Sequence, residues 1–131
     1  MKKKILIVTE RRADYSKFKP ILDEIKKSKS LSYVLIVTGS HLLKKHGYTI
    51  NEIKKDGFKI SDQFSMYGSN SLNNGAEMVK SFGKSVIKIT SLVEKYNPDI
   101  ILSGFDIGAN LAAAIVGAHM NKVVAHIEGG E

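Results

Sequence analysis

The stretch from Pro98 to Glu131, PDIILSGFDIGANLAAAIVGAHMNKVVAHIEGGE, narrows the possible folds of this chain more than any other. It reads as a strand, a glycine-containing turn, an alanine-rich helix and a second strand. Ile100, Ile101 and Leu102 form a short apolar run opened by a proline, the pattern of a strand buried on both faces. Asp106 follows where strand gives way to helix. Leu111, Ile115 and Ala118 then recur at helical spacing, with Ala112, Ala113 and Ala114 filling the turns between them, and so many small residues predict close packing against a sheet. Lys122 to Ile127 is a second β-branched run that ends in Glu128-Gly129-Gly130-Glu131. In an open parallel sheet, ligands gather just beyond the carboxyl ends of the strands. Both strands here run into carboxylates, which makes Asp106 and Glu128 the leading candidates for chemistry.

The rest of the chain supplies the partners of this unit. Lys4 to Thr9 (KILIVT) is a buried-strand signal that runs into the polar turn Glu10-Arg11-Arg12-Ala13-Asp14-Tyr15, with Ser16 as the expected N-cap of a helix reaching about Ser28. Phe18, Ile21, Leu22 and Ile25 mark its inner face, and Pro20 is expected in its first turn, where backbone N–H groups have no helical partner. A strand, an arginine-bearing turn and a helix N-terminus together form a natural anion site. The same arginines also read as solvent-facing. Leu31 to Thr38 is a further strand ending in Thr38-Gly39-Ser40-His41, a corner that can meet a ligand through backbone N–H groups and the His41 imidazole; the other reading is a partly exposed turn residue. His46 reads as surface. Thr49 to Asp56 forms a short helix closed by Gly57, with Ile50 and Ile53 inward. Phe58 to Met66 alternates as a half-exposed or edge strand does, and Tyr67 to Asn74 is a loop whose asparagines can cap the next helix. Met78, Phe82, Val86, Ile89, Val93 and Tyr96 step by three or four residues along that helix, the longest, from Glu77 to Tyr96, ended by Asn97-Pro98.

Strands alternating with helices require crossover connections, hence a doubly wound, mostly parallel α/β domain of Rossmann-like type spanning residues 1–131. Neither GxGxxG nor GxxxxGK[ST] occurs, so no nucleotide cofactor is expected on motif grounds. His126 and Glu128 alternate to one side of a strand, but without a third ligand no metal site is expected. The chain has no cysteine, which excludes disulfides and thiolate chemistry. No apolar run approaches the ~20 residues of a membrane span, and Ile5 to Val8 is too short for a signal peptide's apolar core, so a cytoplasmic protein without a membrane partner is expected. The net charge of +7 comes from lysines scattered over polar helix and loop positions with no aromatic interleaving. They read as an ordinary solvated surface, not a nucleic-acid interface, with attraction of an anionic ligand as the second reading.

Thr9-Glu10-Arg11-Arg12-Ala13-Asp14-Tyr15-Ser16, Thr38-Gly39-Ser40-His41, His46-Gly47-Tyr48-Thr49 with Glu52-Ile53, and His126-Ile127-Glu128-Gly129-Gly130-Glu131 occur together in this order. They resemble the N-terminal half of the UDP-N-acetylglucosamine 2-epimerases, most of all the hydrolysing branch that serves sialic-acid-type sugars. The resemblance implies a GT-B-type enzyme of two Rossmann-like domains with a nucleotide sugar between them. In it Asp106 and Glu128 are catalytic, Arg12 meets the nucleotide with Ser16 beside it, His41 holds the Thr-Gly-x-His position, and Glu131 opens the sugar-binding loop. It further implies a C-terminal domain absent from these residues, a fragment inactive by itself, and a homo-oligomer when complete. One departure stands out: Ile107 replaces the family arginine after Asp106, which leaves the nucleotide and sugar open among UDP-, GDP- and diamino-linked substrates. A non-catalytic nucleotide-sugar-binding module and a basic interaction domain are the alternative readings.

Overall fold

β1 (Lys3–Thr9) lies at the centre of a five-stranded sheet. The computed structural model of the protein describes residues 1–68, 74–105 and 108–130. After β1 come α1 (Arg12–Lys27), β2 (Leu31–Val37), two short 3-10 turns, α2 (Ile50–Lys55), β3 (Asp62–Gln63), α3 (Gly75–Tyr96), β4 (Ile100–Gly104), α4 (Gly108–His119) and β5 (Val123–Ile127). The strand order is β3-β2-β1-β4-β5, and every pairing among the described residues is parallel. None of the described helices is long and apolar enough to cross a membrane.

Alternate side chains of the central strands build two cores. Ile5 and Ile7 of β1, with Leu35 and Val37 of β2, pack under Phe18 and Leu22 of α1 and Ile50 and Ile53 of α2. Leu6 and Val8, with Val34 and Ile36, pack under Ile89 and Val93 of α3 and the small residues of α4. The result is a doubly wound α/β sandwich of Rossmann-like type, whose chain turns opposite ways from β1 and β4. Asn74 caps α3 by accepting from Ala76 N at 2.9 Å and Glu77 N at 3.3 Å, and Asn97 ends it in the left-handed conformation with φ 43°.

Three local expectations are corrected. Helix α1 starts four residues before Ser16, because the Asp14 carboxylate accepts from Arg11 N at 3.2 Å and serves the first turn. Ser16 is therefore a helical residue whose hydroxyl donates to Ala13 O at 2.8 Å, and Pro20 falls inside the helix. The alternating stretch from Phe58 does give an edge strand, but only Asp62 and Gln63 join the ladder. The close packing expected of the small residues in α4 is found: Ala109, Ala112, Ala113, Val116 and Gly117 are buried, whereas Leu111 is 41% exposed. Small residues win the inner face because they let the helix approach the strands. A Cβ at Gly117 would stand 2.6 Å from Val124 Cγ2 and 3.0 Å from Ile101 Cδ1. Gly117→Leu is accordingly expected to destabilise the fold by about 2 kcal/mol through overpacking, read as a lower urea midpoint with an unchanged m-value. An unchanged midpoint would mean that α4 does not use this face.

Candidate functional site

The carboxyl ends of β1, β2, β4 and β5 open onto one edge of the sheet, and the crevice between β1 and β4 is its topological switch point. The β4–β5 register pairs Ser103 with His126 and Gly104 with Ile127. The chain thus leaves both strands at the same level. Phe105, directly after β4, has φ 70°, and Glu128, directly after β5, has φ 59°. Left-handed backbone on residues that are not glycine costs about 1–2 kcal/mol each and gathers at working sites.

Helix α1 connects these two exits. Lys17 Nζ donates to Glu128 Oε1 and lies 5.4 Å from the centroid of the Phe105 ring, which itself stacks edge-on against Phe18 at 5.5 Å. Glu128 therefore faces solvent with its side chain 42% exposed and an ammonium beside it. Asp106 and Glu131 lie outside the described residues. Lys17 escapes a sequence reading because its helix position looks like any solvated lysine; only the tertiary approach of β5 gives it a partner.

A second cluster lies at the α1 N-terminus. Arg11, Arg12, Ala13, Ser40, Thr49 and Tyr67 line a cleft of about 400 Å³, which His46 also borders. Arg12 is 75% exposed, and its Nε is 3.4 Å from Glu52 Oε2, a solvent-screened pair that leaves the guanidinium accessible. Arg11 is tied down: Nη2 donates to Asp14 Oδ1 at 3.0 Å, and Nε is buried without a hydrogen-bond partner among the described residues. Burial would lower the Arg11 pKa, but Asp14 and Glu10 outweigh it and raise the value. Arg12 and Lys17 are five residues apart on one helix, about 7.5 Å of axial rise, so α1 offers cations to both clusters.

His41 takes a different place from an exposed turn residue. Its ring is fully buried, with Nε2 2.9 Å from Thr9 Oγ1 and Nδ1 2.7 Å from Thr49 Oγ1. The Tyr15 ring meets it edge-on at 6.2 Å. Hydroxyls can donate or accept, so a neutral imidazole satisfies both contacts. Burial drives its pKa down to about 4. His41 thus locks the β2 corner to the β1 exit, and Ser40 N and Oγ reinforce this by donating to Glu10 O at 2.9 and 3.2 Å. Ser16 stays on the exposed side of α1.

Two residues unmarked by sequence stand at the switch point. Glu10 is 4% exposed; its Oε2 accepts from Ala109 N at 2.7 Å and its Oε1 from the Tyr67 hydroxyl. Burial, then this bond to Glu10, raises the Tyr67 pKa. Asn110 accepts from Gly104 N at 3.1 Å and donates to Val8 O at 3.2 Å. A buried glutamate just after an apolar strand carries no pattern of its own, and Asn110 looks like an ordinary helix residue.

The family model described as UDP-N-acetylglucosamine 2-epimerase matches residues 23–131. The chain is 37% identical over all its 131 residues to the UDP-N,N'-diacetylbacillosamine 2-epimerase (hydrolyzing) of Legionella pneumophila, covering 34% of that protein. It is 36% identical to the UDP-N-acetylglucosamine 2-epimerase of Neisseria meningitidis serogroup B, over 98% of this chain and 33% of the relative. Among solved structures, the Neisseria meningitidis UDP-GlcNAc 2-epimerase bound to UDP-GlcNAc superposes with a TM-score of 0.81 at 20% identity, covering 97% of this chain and 32% of the other. That likeness speaks to the fold. The chain spans about a third of the length of the curated relatives it matches.

Proposed function

The chain belongs to the UDP-N-acetylglucosamine 2-epimerase family, and we propose that it is the N-terminal Rossmann-like domain of a two-domain, GT-B-type hydrolysing 2-epimerase. The substrate is a UDP-linked 2-acetamido sugar, either UDP-N-acetylglucosamine or its 2,4-diacetamido relative. The site is completed by a C-terminal domain that closes over this edge, so the 131 residues alone bind weakly and do not turn over.

The reaction has two halves. A carboxylate removes the C2 proton of the sugar while the C1–O bond to the diphosphate breaks; the electron pair of the C2–H bond becomes the C1=C2 double bond of a 2-acetamidoglycal, and UDP departs. Water then adds across that double bond, oxygen to C1 and a proton to C2 from the opposite face, which releases the free 2-epimerised sugar. Proton transfer at a weakly acidic carbon needs positioned carboxylates, and the departing diphosphate needs cations or N–H groups around it. Asp106 and Glu128 serve the first need in this reading. The exposed guanidinium of Arg12 and the α1 N-terminus serve the second, with Ser16 nearby on the same helix and Glu131 at the sugar. His41 acts from beneath by holding the Thr38–His41 corner in place.

The observation that carries the proposal is the meeting of both strand exits on α1. Lys17 contacts Glu128 and the Phe105 ring together, and Phe105 is covalently next to Asp106. The test is to incubate full-length protein in D2O with UDP-N-acetylglucosamine and, separately, its 2,4-diacetamido analogue. Expected are UDP release and free sugar of inverted C2 configuration carrying deuterium at C2. Deuterated nucleotide sugar with no free sugar would replace hydrolysis by simple epimerisation. Binding without deuterium incorporation would favour a non-catalytic nucleotide-sugar module.

A further inference from the structure

Glu10 is a buried carboxylate that the proposed reaction does not use, and two tight turns are shaped around it. Gly39 and Gly108 both hold left-handed backbone, with φ 67° and 69°. A Cβ at Gly39 would strike Glu10 Cγ, and one at Gly108 would strike Glu10 Oε2. The carboxylate sits in the first turn of α4, where the helix dipole and the free N–H groups favour negative charge. Its Oε2 takes the Ala109 N–H at 2.7 Å, and the Tyr67 hydroxyl holds Oε1 from the far side. On the strand side of the same turn, Gly104 N is held by Asn110 Oδ1 at 3.1 Å. The last residue of β4 and the first turn of α4 are therefore each held, Gly104 by Asn110 and Ala109 by Glu10.

We propose that Glu10 is a positioning residue: its carboxylate anchors the N-terminus of α4, which begins two residues after Asp106 in sequence, to the end of β1, and turnover depends on that anchor. The inference rests on the epimerase reading, in which Asp106 is a reacting group. Glu10 acts through its acceptor atoms and not through its bulk, although it also borders an apolar pocket of about 280 Å³ with Met66, Met78, Phe82 and Leu111.

Glu10→Gln and Glu10→Met in the full-length protein separate the two roles. Gln keeps an acceptor for Ala109 N–H and offers its amide to the Tyr67 oxygen, whereas Met fills a similar volume with no comparable acceptor. Glu10→Gln is expected to keep kcat within about fivefold of wild type, and Glu10→Met to lower it about a hundredfold with KM little changed, the scale of a roughly 1 Å misplacement. Amide exchange read by mass spectrometry over residues 104–112 should quicken in Glu10→Met and not in Glu10→Gln. Wild-type kcat and exchange in Glu10→Met would reduce Glu10 to filler and overturn the proposal; so would a Glu10→Gln variant as impaired as Glu10→Met, which would make charge the requirement. If wild-type protein neither releases UDP nor exchanges the C2 hydrogen, the epimerase reading fails by itself, and the exchange comparison still decides whether Glu10 anchors α4.

Discussion

Glu128→Gln and Asp106→Asn in the full-length protein are each expected to lower kcat about a thousandfold, the usual scale for losing a positioned acid or base. Neither change should weaken nucleotide-sugar binding much, since an amide keeps the shape and hydrogen-bonding reach of the carboxylate. For Glu128 the loss should not come from the fold. Its side chain is 42% exposed and its ion pair with Lys17 is open to solvent, so the pair contributes at most about 1 kcal/mol. Glu128→Gly provides a sharper contrast. The backbone at this position has φ 59°, which glycine adopts without strain, so this variant is expected to unfold no earlier than wild type while losing turnover altogether. A stable, inactive Glu128→Gly protein would show that the Glu128 side chain serves the chemistry and not the fold. Full activity in Glu128→Gln would remove this residue from the mechanism and leave Asp106 as the sole base.

Lowering the pH from 7 to 4.5 is expected to cost about 2 kcal/mol of stability through His41 alone. In the unfolded chain this ring has its ordinary pKa near 6.5 and takes up a proton as the pH falls. In the folded protein, burial pushes the value down to about 4, so the ring stays neutral between Thr9 and Thr49. The stabilisation is complete above pH 6.5 and drains away as the pH drops toward 4, because the unfolded state binds the proton first. Carboxylates held below their usual range act in a lower window. Asp62, which accepts from Lys95, and Asp99, which accepts from Lys4 N, lose their contributions only as the pH falls through and below about 4. Urea denaturation at pH 7 and 4.5 tests this. Wild type should lose about 2 kcal/mol between the two, and His41→Gln, weaker at pH 7, should lose far less. Equal losses in both proteins would mean that the ring titrates as it does in water.

The order of elements is readable in the sequence because each buried strand announces itself as an unbroken β-branched run and each long helix as a step of three or four. Ile100–Leu102 and the Met78–Tyr96 stripe are the clearest cases, and both lie where the pattern puts them. The family resemblance is equally legible, because its motifs are short polar stretches directly after strands that can be read residue by residue. What local pattern cannot supply is direction and partnership. The stripe of Leu111 and Ile115 has helical period, but the period alone does not say whether the large or the small residues face the sheet; close approach of α4 to Ile101 and Val124 decides it. Ser16 has the chemistry of a cap, yet Asp14 reaches Arg11 N first. His41 is visible as a residue at a strand exit, but its burial depends on Thr49, eight residues on, and on the Tyr15 ring. Glu10 and Lys17 acquire meaning only through residues about a hundred positions away, Ala109 and Glu128.

The central place of β1 has a bearing on how the polypeptide matures. Its neighbour on one side, β2, begins only a helix later, whereas on the other side β4 pairs Ile5 with Ile100. During synthesis, at roughly 5–20 residues per second, the first βαβ unit can close within a few seconds, but its open flank then waits while α3 and β4 are still being made. An apolar strand with one unpaired side is a ready template for pairing with another chain. That wait is set by synthesis and not by helix formation, since a helix as long as α3 relaxes within about a microsecond.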